Sequence, residues 1–180
     1  MEYVGVFGIM STLKVGTIQD HANSITAMSI DRAGRVTEPA KPFLMCNCTG
    51  HGSTVTPSGY TGLVPFQNIL SSRGISLNTS TYLWTVPVTG LYNISAAVRL
   101  NADYSYLYWT LDDRTGSPAR LQGDKLVLAH GAGTSFTTCV GSVLHTLETG
   151  KSYGMSVAGS SSSAVAIDGG QSWMDIHLVG

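Results

Sequence analysis

Three cysteines, five histidines and one adjacent acid pair are the side chains with which this sequence could do chemistry. Cys46 and Cys48 stand two apart, on one face of an extended chain, and Cys139 stands alone. A tetrahedral zinc site needs matched Cys or His pairs close by, and only His51 is near. Buried, reduced thiols in a reducing compartment are the expectation. His21, His51, His130, His145 and His177 lie far apart, none at helical metal-ligand spacing. His145 and His177 fall in predicted strands, where a hydrogen-bonded structural role is expected. Asp112-Asp113 could offer calcium hard oxygen ligands, but it sits in a Gly-containing turn, where Asp is favoured for its local hydrogen bonds. Nucleophile elbows, P-loops and dinucleotide fingerprints do not occur. No catalytic, cofactor-binding or metal-ligating residue is assigned, and neither an enzyme nor a cofactor is expected.

Composition narrows the classes further. Of 180 residues, 43% are hydrophobic, enough for a substantial core, and only 12% are charged, about half the ~25% usual in soluble domains. The net charge is -1 and the ten Lys and Arg are scattered, which argues against a nucleic-acid binder. The opening Met1-Glu2-Tyr3 carries an acid and no basic run, so no secretory leader is expected. No apolar stretch approaches the roughly 18 residues of a membrane span. The mean hydropathy of +0.14 is spread along the chain, a pattern that suits a protein hiding surface in an oligomer.

Any site must be positioned by strands and turns. Pro39 and Pro42, with Glu38 and Lys41, read as a linker between an arm, residues 1–39, and a domain, residues 40–180. In the arm, Thr12–Gln19 and Ser24–Asp31 alternate polar and apolar residues, and Asp31–Arg35 reads as a turn with Gly34 at a positive-φ position. Two short strands bury little alone, so the arm is expected to be ordered against a partner through Leu13, Val15, Ile18 and Ile30. Beyond the linker, strands are expected at Phe43–Cys48, Gly62–Phe66, Ile75–Leu77, Tyr82–Val86, Gly90–Leu100, Ser105–Leu111, Lys125–His130, Thr137–Leu147, Ser152–Ala158 and Ser172–Val179. No segment has helical periodicity. About ten strands without a helix predict an all-β antiparallel sandwich or jelly roll. In Gly90–Leu100 the parity places Tyr92, Ile94, Ala96, Val98 and Leu100 in the core and Leu91, Asn93, Ser95, Ala97 and Arg99 outside. Val157–Ala164 reads as a mobile loop. Gly50–Gly59, Asp112–Gly116 and Gly159–Ala164 are the loops expected to carry recognition.

One stretch is more specific. Phe66, Ser72, Leu77, Trp84, Gly90, Tyr92 and Ile94 stand at the spacing of the signature of the C1q and tumour-necrosis-factor-like jelly rolls, and the sequence resembles that family. Tyr82-Leu-Trp-Thr-Val-Pro-Val-Thr-Gly-Leu-Tyr92 is similar to the family's hairpin, with Pro87 entering the turn and Gly90 closing it. Asn78 is similar to the loop before that strand, and Ser172–Val179 to the closing strand, so the resemblance covers Pro42–Gly180. Ser72, Trp84, Ile94 and Ala96 depart from the usual residues, and collagen-like repeats are missing. Met10–Asp20 and Ile30–Val36 resemble the amino-terminal segment of tail-fibre and other virion proteins of marine and cyanobacterial tailed phages, in which such an arm precedes C1q-like tips.

These resemblances imply a homotrimeric C1q/TNF-like jelly roll on an extended N-terminal arm. They imply a structural virion protein, assembled in the host cytoplasm. The arm would contact other virion proteins and the tip a host-surface glycan or protein. A capsid decoration or cement protein (head fibre) is the alternative, favoured by a length that leaves no room for a shaft. Both faces of Tyr104–Trp109 are bulky. Tyr104, Tyr106 and Tyr108 are expected on one face and Leu107 and Trp109 on the other, so Tyr104, Tyr106, Tyr108 and Trp109 are the subunit-contact candidates.

Overall fold

The computed structural model describes residues 16–19, 26–49, 51–57, 62–121, 135–161 and 163–180, and it divides the chain into two units, Met1–Ala40 and Lys41–Gly180. Leu13, Val15, the predicted strand Lys125–His130, His21 and His130 lie outside the described residues.

The first unit holds a three-stranded antiparallel sheet of β1 (Thr17–Gln19), β2 (Thr26–Ile30) and β3 (Val36–Thr37), with β2 in the centre. The β2–β3 turn is built by Asp31. Its carboxylate accepts the backbone N–H groups of Ala33 and Arg35 at 2.8 and 3.0 Å and the Arg35 Nε–H at 2.6 Å. Those donors hold the Asp31 carboxyl below its usual pKa, the Arg35 N–H most of all. Gly34 takes φ +79°, a conformation that costs a residue with Cβ about 1–2 kcal/mol. Register places Ile18 beside Met28 and Ile30 beside Val36, so alternation puts these four apolar side chains on one face.

The second unit is a sandwich of two antiparallel sheets. Its strands are β4 (Phe43–Cys48), β5 (His51–Val55), β6 (Phe66–Arg73), β7 (Ser76–Asn78), β8 (Leu83–Thr85), β9 (Gly90–Leu100), β10 (Leu107–Asp113), β11 (Ala119–Arg120), β12 (Thr137–Leu147), β13 (Tyr153–Gly159), β14 (Val165–Asp168) and β15 (Trp173–Leu178). One sheet has the order β11-β10-β13-β8-β7. The other runs β5-β14-β9-β15-β4-β6, with β12 along the opposite edge of β9 over its full length. A single 3-10 turn, Gly169–Gln171, is the only helical element among the described residues of this unit.

The core lies between the sheets. From the larger sheet come Leu44, Cys46, Cys48, Tyr92, Ile94 and Ile176; from the smaller come Trp84, Leu107, Trp109, Leu111, Met155 and Val157. Each large apolar side chain so buried stabilises the fold by about 1.5–3 kcal/mol. The parity of β9 is as expected, with Tyr92, Ile94, Ala96, Val98 and Leu100 wholly buried. Ala97 points outward and is nonetheless covered, because a methyl beside larger neighbours reaches no solvent.

The strands that departed from expectation are mostly edges. Gly62–Phe66 is not a strand: Leu63 makes one isolated bridge to Ser156, and the strand instead begins at Phe66 and runs to Arg73. From Gln67 onward β6 is largely exposed and polar, so it has no hydrophobic alternation to read. His51–Val55, expected in a loop, is β5, and β14 is Val165–Asp168, where Val165–Ile167 had no expectation attached and Asp168 was expected to open a turn. The two pair with each other at the margin of the larger sheet. Val157 and Ala158, expected both at the end of the strand Ser152–Ala158 and in a mobile loop, are buried in β13, so the strand holds and the loop is corrected there. Asp112 and Asp113, expected in a turn, end β10.

Candidate interaction surfaces

Alternation gives the larger sheet a second, outward face, and the register orders it in rows. Val140, Ala97, Trp173, Asn47 and Asn68 form one row across β12, β9, β15, β4 and β6. Ser142, Ser95, Asp175, Met45 and Ser71 form the next, and Leu144, Asn93, His177, Phe43 and Arg73 the third. Val140 and Leu144 are 53% and 55% exposed, and Met45, Leu91 and Trp173 are also exposed.

Polar side chains on this face are tied to one another. Ser142 Oγ–H donates to Asn93 Oδ1 at 2.5 Å, Ser95 pairs with Ser142 at 3.0 Å, and Asn68 Nδ2–H donates to Asn47 Oδ1 at 2.8 Å. His177 Nδ1 lies 3.6 Å from Asp175 Oδ2, and the Arg73 guanidinium sits 5.4 Å above the Phe43 ring. Pairs of this kind lower the desolvation cost of covering the polar part of the face. A cavity of about 390 Å³ opens on it, lined by Met45, Asn47, Leu70, Trp173 and Asp175 among others.

The structure disperses the aromatic cluster proposed for subunit contact. Tyr104 is 2% exposed and Trp109 wholly buried; both belong to the core of one protomer, and subunit contact through them is corrected to core packing. Tyr104 precedes β10, so strand alternation does not reach it and it does not share a face with Tyr106 and Tyr108. Tyr106 is exposed and stacks on half-buried Tyr108, centroids 6.3 Å apart and planes at 18°. Ile18 and Ile30 are both exposed on the arm.

The candidate chemical groups are occupied or inert. Asp112 is wholly buried and accepts from Thr110 Oγ–H at 3.0 Å, Arg114 at 2.8 Å and the Ser156 hydroxyl. Asp113 points to the other face and accepts the Thr115 N–H at 2.9 Å, with Lys151 Nζ 3.4 Å away. The two acids therefore do not converge on one point, and among the described residues no three of His, Cys, Asp and Glu cluster as a metal site. Cys46, Cys48 and Cys139 are free and buried, and desolvation pushes each thiol up to about 12. Protonated thiols are poor nucleophiles and poor ligands. His145, half-buried, is held below its usual pKa by desolvation.

The sequence reading missed the face of the larger sheet because it followed aromatic density. The signal that locates it is the odd-numbered set of β9 together with Val140 and Leu144, apolar residues alternating with buried positions on a strand of a two-layer sandwich.

No protein-family model matches the chain, and no curated protein matches its sequence. Solved structures do match in fold. The Eiger TNF of S. frugiperda aligns at TM-score 0.57 and 10% identity, over 78% of this chain and 94% of that one. Murine APRIL aligns at 0.56 and 10%, over 77% and 99%. The globular domain of zebrafish complement 1qA aligns at 0.54 and 16%, over 78% and 98%. The fold is a C1q/TNF-like jelly roll.

Proposed function

We propose that this chain is a structural component of a tailed-bacteriophage particle: a homotrimer of jelly rolls, attached through the N-terminal arm and meeting the host surface with the loops of the sandwich. The observation that carries the self-associating part is the outward face of the seven-stranded sheet, a mixed face on which the apolar side chains of Val140, Leu144, Trp173 and Met45 stay exposed. Apolar side chains grouped in this way on a soluble protein mark an interaction surface. Closed point symmetry is the usual outcome when such a face meets its own copies, and the threefold form is what the C1q/TNF-like resemblance implies. The low charge content supports the same reading, because the centres of interfaces are depleted of charge.

The virion part is supported by the resemblance of Met10–Asp20 and Ile30–Val36 to phage arms. Mass measurement of the full chain by sedimentation tests the trimer, and a monomer at micromolar concentration overturns it. Immunogold labelling of purified particles tests the location. Label at the tail is the expected result; label on the capsid would replace this role by decoration of the shell, and unlabelled particles would remove the virion role. Saturable, competed binding of the labelled full chain to host cells tests the contact with the host surface.

A further inference from the structure

The arm's sheet has two chemically different faces. Thr17, Ser29 and Thr37 lie side by side on one, where Ser29 Oγ and Thr37 Oγ1 are hydrogen-bonded at 2.6 Å. Ile18, Met28, Ile30 and Val36 occupy the other, and Ile18 and Val36 are 50% and 56% exposed. None of the strand residues Thr17–Gln19, Thr26–Ile30 and Val36–Thr37 is charged. Three short strands with a bare apolar face have little stability of their own, so that face is built to be covered.

Chain connectivity says by what. β3 ends at Thr37 and β4 begins at Phe43, which stands on the outward face of the larger sheet, in the row of His177, Asn93 and Leu144. The five linker residues between them reach at most about 18 Å when extended. In a trimer each of the three arms is tied to its own jelly roll by this short linker, so the three arms are held within reach of one another. Effective concentrations under such tethering are in the millimolar range, far above that of any free partner.

We propose that the three arms of the trimer pack their Ile18, Met28, Ile30 and Val36 faces against one another, forming a threefold stem with its hydroxyl-bearing faces outward. The attachment surface offered to the rest of the particle is then the Thr17–Ser29–Thr37 face and the Asp31–Arg35 turn rather than the apolar side chains. This inference rests on the trimer reading.

The test uses the full chain with Ile30→Cys, treated with a short bifunctional maleimide; the native thiols are buried and serve as a silent background. A covalent dimer on a denaturing gel is expected, because one linker joins two of three neighbouring arms. Adding Ile18→Asp and Val36→Asp should abolish that band while sedimentation still gives the trimer mass. Ser29→Cys, on the opposite face, should cross-link at least tenfold less. A trimer by mass with no Ile30→Cys cross-link overturns the stem alone, as does equal cross-linking from Ser29→Cys. A monomeric full chain overturns the trimer and the stem with it.

Discussion

The Arg114 guanidinium donates to the Asp112 carboxylate at 2.8 Å, and Asp112 has no solvent-exposed surface. The same carboxylate accepts hydroxyls from Thr110 on its own strand and Ser156 on β13, so one buried charge ties β10 to its neighbour. Removing a single partner of a buried ion pair leaves the other charge without compensation, which costs about 3–5 kcal/mol. Arg114→Met should therefore lower the urea midpoint sharply, and Asp112→Leu with Arg114→Met should recover most of the loss. Equal midpoints for Arg114→Met and the native chain would show that the pair contributes nothing.

Val140 and Leu144 project from β12 to solvent in one protomer. Aspartate at both positions should leave the protomer's circular dichroism and thermal midpoint nearly unchanged, since exposed substitutions usually stay within about 0.5 kcal/mol. The proposed trimer should dissociate, with sedimentation falling to the monomer mass. An unchanged trimer would place the interface elsewhere.

Desolvation raises all three thiols to about 12. At pH 8 the native protein should react with an aromatic disulfide reagent at none of them, and three equivalents should appear at once in denaturant. Cys46 and Cys48 occupy alternate positions of β4 and point into the core, so fast labelling of the pair in the native state would mean that β4 opens locally.

Stability should depend on pH in two windows. Burial disfavours protonated His145 and pulls its pKa below the ordinary 6.5. The unfolded chain then binds more protons, and stability falls as pH drops from about 6.5 toward the lowered value. Asp113 is held below 3.8 by the Thr115 N–H first and by Lys151 as well. Its contribution is complete above about 3.8 and is lost as pH falls through its lowered value. Thermal midpoints measured from pH 8 to 3 should show both slopes, and His145→Gln should flatten only the upper one.

The long strands were legible in the chain because each has a wet side and a dry side. Gly90–Leu100 and Thr137–Leu147 were bounded to the residue, as was Phe43–Cys48, whose two cysteines fall on its buried positions. The Asp31–Arg35 turn was legible because a carboxylate that captures the next N–H groups, followed by a glycine in the left-handed region, is a local device. The polar strand β6 was not. β6 carries Gln67, Asn68, Ser71, Ser72 and Arg73, and pairs through its backbone, which side-chain periodicity does not report.

The sequence by itself determined an all-β chain of alternating strands and turns, because alternation and turn residues act over a few positions, while the jelly-roll arrangement came from the resemblance of Phe66–Ile94 to the C1q/TNF-like family. Only the tertiary structure decided which apolar residues remain uncovered. Trp109 is as bulky as Trp173, and nothing local distinguishes them. What separates them is that the second sheet covers the inner face of the first and leaves the outer face bare. Burial depends on what packs across a strand, and that partner arrives from residues far away in the chain.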